Sequence, residues 1–223
     1  MAQQEYAQMI QVNKDRAATY GFLSRLFRVE VDEALAAQLK DMQFPVKTGN
    51  ASIDEGNARM ASYVAGMWDG SLTELAVDYF NVFYGVGVDS YSAAHPFESV
   101  YTSPKRLLMQ EARDEVLQVY REAGLEKQKE WREGEDHIAL ELEYLQVLSE
   151  RIVEVLERDD EDAAADLLEK QRAFLDEHVL VWTPLFASDM RRFAKTDLYV
   201  GLADVAEGFL EADRQFVGEV LES

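Results

Sequence analysis

The chain contains no cysteine among its 223 residues, which excludes disulfides, thiolate metal sites and a cysteine nucleophile and fits a reducing compartment. Histidine is almost as scarce, with His95, His137 and His178 on three separate segments. Basic residues are few: 22 Lys and Arg stand against 43 Asp and Glu, a formal charge of −21. That charge repels nucleic acid and anionic membrane surfaces and favours cationic partners. No stretch approaches the ~20 consecutive apolar residues of a membrane span. The first residues lack the charged and then apolar pattern of a secretory signal. The twin arginines Arg191 and Arg192 have no apolar run behind them and are not an export signal. A cytoplasmic protein without nucleic-acid partner or integral membrane span is expected.

Only four prolines interrupt a chain that is 48% hydrophobic. Abundant Ala, Leu and Glu, with apolar residues three and four apart, predict an all-α protein. About nine helices are expected, over 4–27, 32–42, 53–67, 72–84, 104–123, the stretch after 132 to about 158, on to 178, 179–194 (kinked at Pro184) and 196–221. Tyr20, Leu23, Leu26 and Phe27 mark the buried side of the first. Capping boxes are read at Ser52 with Glu55 and at Ser71 with Glu74, and Ser103 with Pro104 is read as a helix start. No repeat or linker divides the chain, so residues 1–223 are expected to form one helical-bundle domain. The segment GVGVDSYSAAHPFES, residues 85–99, is the longest expected loop, and loops of that length in a compact domain are often functional.

The segment REGEDHIALELEYL, Arg132 to Leu145, concentrates the chemistry. Ile138, Leu142, Leu145, Ile152 and Leu156 form an apolar helical stripe. Glu141 projects within it, expected to hold His137 one turn earlier or an arginine from a neighbouring helix. Asp136 reads as a residue capping the same helix. A metal site lacks its spacing: neither Glu-x-x-His on two helices nor His-Glu-x-x-His occurs. No nucleophile elbow, phosphate loop or dinucleotide fingerprint is present, so no catalytic residue is assigned. Recognition remains: acids at a helix start, beside a loop carrying Tyr91, Pro96, Phe97 and Tyr101, suit a peptide with arginines before an apolar stretch. A helical cofactor enzyme and a constitutive structural subunit stay open as rivals.

Glu133-Gly134-Glu135-Asp136-His137-Ile138, with Glu141-Leu142 and Tyr144, resembles the E-P-x-D-H-[IL]-x-x-E-L-x-[FY] signature of the TorD/DmsD family of redox-enzyme maturation chaperones, with Gly134 where proline is usual. YFNVFYGVG followed by HPFESVYTS, TYGFLSRLF near the start and HVLVWTPLF downstream are similar to family segments in the same order. The resemblance implies a TorD-like all-helical cytoplasmic chaperone, not an enzyme. Such a chaperone binds the twin-arginine signal peptide of a molybdenum-cofactor oxidoreductase, assists cofactor insertion and folding of the apo catalytic subunit, and holds back its export by the Tat pathway. It carries over Asp136 and His137 as peptide-binding residues, with Tyr20, Pro96, Phe97 and Glu98 as looser matches; Glu135 and Glu141 join them from the signature. GTP or the molybdenum cofactor enters by resemblance alone, so no cofactor is assigned. A nitrate-reductase-assembly type acting on an unexported molybdoenzyme subunit is the alternative, and monomer and domain-swapped dimer are both compatible.

Overall fold

A computed structural model describes residues 2–85 and 92–222, with side chains from Tyr6 onward; Tyr91 therefore lies outside the described residues. Among the described residues ten α-helices appear in the order α1 Ala2–Arg28, α2 Glu33–Asp41, α3 Ala51–Ala65, α4 Ser71–Phe83, α5 Glu98–Thr102, α6 Glu111–Glu122, α7 Ile138–Leu156, α8 Glu161–Phe174, α9 Leu180–Phe193 and α10 Asp197–Glu222. Nine correspond to the expected helices, and α5, five residues long, is the addition. Among the described residues the sole β-type pairing is one antiparallel bridge between Phe97 and His137.

Two long antiparallel contacts organise the bundle: α1 lies along α7, and α10 along α3. Tyr20, Leu23, Leu26 and Phe27 of α1 are buried against the Ile138, Leu142, Leu145 stripe of α7, within a core that also takes Trp182 and Phe186 of α9 and Leu198, Tyr199 and Leu202 of α10. The rest of the α7 stripe, Ile152 and Leu156, joins a smaller cluster with Ala164, Leu168 and Val217. The backbones of α3 and α10 approach closely at a pair of glycines. A Cβ added to Gly56 would stand 2.7 Å from the Gly201 carbonyl oxygen, and one on Gly201 2.5 Å from that of Gly56, so both positions need glycine for the helices to touch.

Several local expectations are corrected. Asn50, not Ser52, caps α3, accepting from the Ser52 and Ile53 amides; Glu55 pairs instead with Arg59 at 2.6 Å. Ser71 lies inside α4, its hydroxyl accepting from the Trp68 amide, while Glu74 accepts from the Tyr63 hydroxyl. At α3 a better acceptor, Asn50, stands two residues earlier, and at α4 the glutamate finds a tertiary partner. Ser103 ends α5 rather than opening a helix; it accepts from the Leu107 amide in a turn, and α6 begins at Glu111. The expected break near His178 is a π turn, Leu175–Val179, that carries α8 into α9 with the Leu180 amide bonded to the Leu175 carbonyl. The π turn carries Leu175, His178 and Val179 inward, and Pro184 lies inside α9.

Candidate functional site

Two extended segments meet where the sequence motif begins. Pro96 fixes its own backbone and biases His95 towards an extended conformation. The chain then pairs once with the residues entering α7: the Ile138 amide donates to the Pro96 carbonyl at 2.9 Å and the Glu98 amide to the Asp136 carbonyl at 3.0 Å. Each segment turns into a helix immediately after the bridge, so the N-termini of α5 and α7 lie side by side. Asp136 does not cap its own helix. Its carboxylate accepts from the Ser99 amide of α5 at 3.0 Å, and His137 caps α7 through Nδ1, which accepts from the Ala139 amide at 3.1 Å. The Asp136 cap ties α5 to the segment entering α7, while His137 caps α7 itself. A Cβ at Gly134 would lie 2.7 Å from the free Oδ1 of Asp136, so the glycine makes room for that carboxylate.

His137 stands between Phe97 and Trp131, with ring centroids 5.0 and 5.2 Å away, both edge-on. Burial, reinforced by the nearby Arg28 guanidinium, pushes it down to about 3. It is neutral at pH 7, with Nδ1 as acceptor and the proton on Nε2. The expected His137–Glu141 pair is not formed. Glu141 points to the other side, where the Trp182 indole donates to Oε2 at 3.2 Å. Among the described residues no arginine is paired with it. Burial first, then the Glu98 and Asp136 carboxylates, raise it well above the usual carboxylate range. His178 Nδ1 in turn lies 3.2 and 3.3 Å from the two Glu98 oxygens. Glu135 faces outward to Arg113 at 2.5 Å and Lys127 at 3.1 Å. Burial opposes its charge, but these cations outweigh burial and lower it.

The structure thus brings together Pro96, Phe97, Glu98, Glu135, Asp136, His137 and Glu141. Tyr20 belongs elsewhere: its hydroxyl donates to Asp213 at 2.6 Å in a buried network with Arg16. Sequence reasoning left unassigned Ser99, Tyr120, Trp131, His178 and Trp182, all in contact with this junction. Their only signal was proximity to quoted segments, as with His178 and Trp182 in HVLVWTPLF.

All seven converging side chains are buried in this conformation. An exposed apolar surface is found on α4. Thr73, Val77, Phe80 and Tyr84 recur at four, three and four residues and form an outward stripe, with Val77, Phe80 and Tyr84 exposed by 56, 51 and 49%. Phe80 and Tyr84 stack at 5.8 Å. Glu30, Val31, Leu72, Thr73, Ala76, Val77 and Phe80 line a groove on one side of the stripe. The Tyr84 hydroxyl is raised by burial and by the carboxylate of Glu133, the first acid of the motif. Tyr79, on the buried side of α4, is also raised, by burial first and then by the Tyr84 hydroxyl and the carboxylates of Glu133 and Glu30. An apolar ridge with acids at its rim can take an apolar segment and a cation together.

No helix among the described residues is long and apolar enough to cross a membrane. Residues 50–188 match the family model described as nitrate reductase delta subunit. The chain is 26% identical to the chaperone protein TorD of Vibrio cholerae over 95% of its length and 96% of the relative. For the chaperone protein TorD of Photobacterium profundum the values are 26%, 94% and 97%. For that of Aliivibrio fischeri they are 28%, 92% and 95%. With the helical fold, the paired junction and a family match over more than half its length, the chain belongs to the nitrate reductase delta subunit family, the TorD-type group.

Proposed function

We propose that this protein is a redox-enzyme maturation chaperone that receives the twin-arginine leader of a molybdenum-cofactor oxidoreductase subunit in the cytoplasm. In this role it assists folding and cofactor insertion and delays Tat export. The relatives named chaperone protein TorD support the chaperone role. The observation that carries the peptide reading is the α4 stripe of Val77, Phe80 and Tyr84 beside Glu30 and Glu133. The leader's apolar run covers the ridge, gaining ~25 cal/mol per Å² of apolar surface before ordering costs. Its arginines meet the rim acids, each exposed pair adding only about 0.2–1 kcal/mol. Apolar contact therefore sets residence, and the net charge of −21 speeds encounter. Asp136, His137, Pro96, Phe97, Glu98, Glu135 and Glu141 position that ridge and meet the leader directly only when the junction opens. Tyr20 acts through the core.

A fluorescence-anisotropy titration with twin-arginine leaders of molybdoenzymes, a Lys-Lys control and a salt series tests this. Micromolar or tighter binding that weakens with salt and in the Lys-Lys peptide is expected. Absence of binding to every leader, by a protein that melts cooperatively, contradicts it. The nitrate reductase delta subunit family match favours the second reading in that event: a chaperone whose client is not exported, detected by binding to the mature apo subunit.

A further inference from the structure

The α4 groove borders Glu30 and Val31, and two residues back along the chain Arg28 borders a second hollow, of about 160 Å³. Two residues span at most ~7 Å of backbone, so groove and hollow are neighbours, with exposed Val29 between them. Local period builds the inner wall: Leu140, Tyr144 and Val147 stand four and three residues apart on one face of α7. Tyr120 of α6 packs against Tyr144 with ring centroids 5.3 Å apart, and Leu125 and Trp131, from the connection between α6 and α7, complete the lining. Trp131 is held by two neighbours, His137 edge-on at 5.2 Å and the Arg28 guanidinium over its ring at 5.0 Å. His137 of the motif thereby positions one wall of the hollow.

The charges around the opening are sorted by pairing. Arg28 is paired with Glu143, and Lys127 with Glu135 at 3.1 Å while it also donates to the Glu133 carbonyl at 2.6 Å. Both cations are thus neutralised. Among the described residues Glu126 at the hollow and Glu30 at the groove take part in no ion pair. These surroundings repel an anionic ligand and accept an apolar group that has a cation beside it.

We propose that the hollow is a socket for one phenyl- or isobutyl-sized side chain of the bound leader, and that it decides which residue of the apolar run sets the register of the peptide on α4. The proposal rests on the reading of the ligand as a leader peptide. Size supports it: an apolar cavity of ~150 Å³ holds one benzene molecule, and this one measures about 160 Å³. The walls of Tyr120, Trp131 and Tyr144 offer edge and face contacts to a ring. A side chain in the hollow is enclosed on more sides than one on the open α4 ridge, so truncation there removes the most binding.

The test is a fluorescence-anisotropy titration of leader peptide in which each apolar residue is in turn alanine, on the unmodified protein and on Val147→Trp. Val147 is half-buried and outside the two core clusters, so the larger side chain fills the hollow, and a thermal melt checks that the fold is kept. On the unmodified protein one alanine position is expected to cost about tenfold or more in affinity and the others less than about threefold. Val147→Trp is expected to lose about tenfold for the natural leader and nothing further when that one position is alanine. Its salt dependence of binding is expected to stay unchanged, because the lost contact is apolar. Even losses along the apolar run of the unmodified protein's ligand overturn the socket without any variant, and this scan decides alone if Val147→Trp does not fold. Natural leader affinity in a Val147→Trp protein that melts normally also overturns it, as do losses that add. Each of these leaves the leader reading standing, whereas absence of binding by the unmodified protein to every leader removes both.

Discussion

Two of the buried polar clusters in this bundle are built in opposite ways. In the first, Arg16 donates to both Asp213 oxygens at 2.6 and 2.9 Å, to Asn13 and to Gln171, while Tyr20 also donates to Asp213. Gln171 completes it by donating to the Leu145 carbonyl and the Ser149 hydroxyl. Every charge has an opposite charge, and α1, α8, α10 and α7 are tied at one point. In the second, Glu98, Asp136 and Glu141 crowd together with His178, without a paired lysine or arginine among the described residues and with orphaned oxygens. The first cluster fixes the fold. The second stores unsatisfied polarity at the joint where two helix starts meet, which is where a binding protein benefits from being able to change.

Arg16→Met breaks this contrast most severely. It strands Asp213 in the core and is expected to cost about 3–5 kcal/mol, a loss of roughly 10 °C or more in a thermal melt of a chain this size. Arg16→Met with Asp213→Leu recovers most of that loss, because no lone charge remains. His137→Ala removes both a helix cap and the ring between Phe97 and Trp131, with an expected loss of about 2–4 kcal/mol by denaturant unfolding. His137→Gln, which keeps an acceptor, loses less. The histidine also sets an acid limb: its neutral form is favoured in the fold, so its contribution is full above about 6.5 and drains away as pH falls towards about 3. His137→Gln should flatten that part of a stability–pH curve.

Gly201→Ala lies outside both clusters and calibrates them, since its Cβ would meet the Gly56 carbonyl at 2.5 Å. About 1–3 kcal/mol of overpacking is expected. Glu141→Gln has the smallest effect and the opposite trend with pH. Burial and the Glu98 and Asp136 carboxylates favour the protonated form of Glu141, for which the neutral amide is a close substitute. As pH rises the variant is expected to gain stability relative to the natural chain, because only glutamate is driven to ionise.

Helix number and core faces were legible in the sequence because they follow from local period: the Leu23, Leu26, Phe27 face and the Ile138, Leu142, Leu145 stripe are buried as expected. Pro96 to Glu98 and Glu135 to Glu141 were also read as belonging together, through the resemblance. What failed was every inference that assigned a polar side chain to a neighbour in sequence. Ser52, Ser71, Asp136 and Glu141 all chose other partners. A hydroxyl or carboxylate gains a similar hydrogen bond from an atom four residues or forty residues away, so local spacing cannot select between them. The α4 stripe escaped notice for the converse reason: its four, three, four spacing looks like a core face, and only the packing shows that the other side of α4, with Leu75, Tyr79, Val82 and Phe83, is the buried one.

The central claim is that the buried junction builds the platform and the exposed stripe meets the ligand. Phe80→Ser separates these most directly, assayed by twin-arginine leader titration beside a thermal melt. The account predicts at least a tenfold loss of affinity with the melting temperature essentially unchanged, since Phe80 is half exposed. Leader binding that remains at the natural strength in this variant would contradict it.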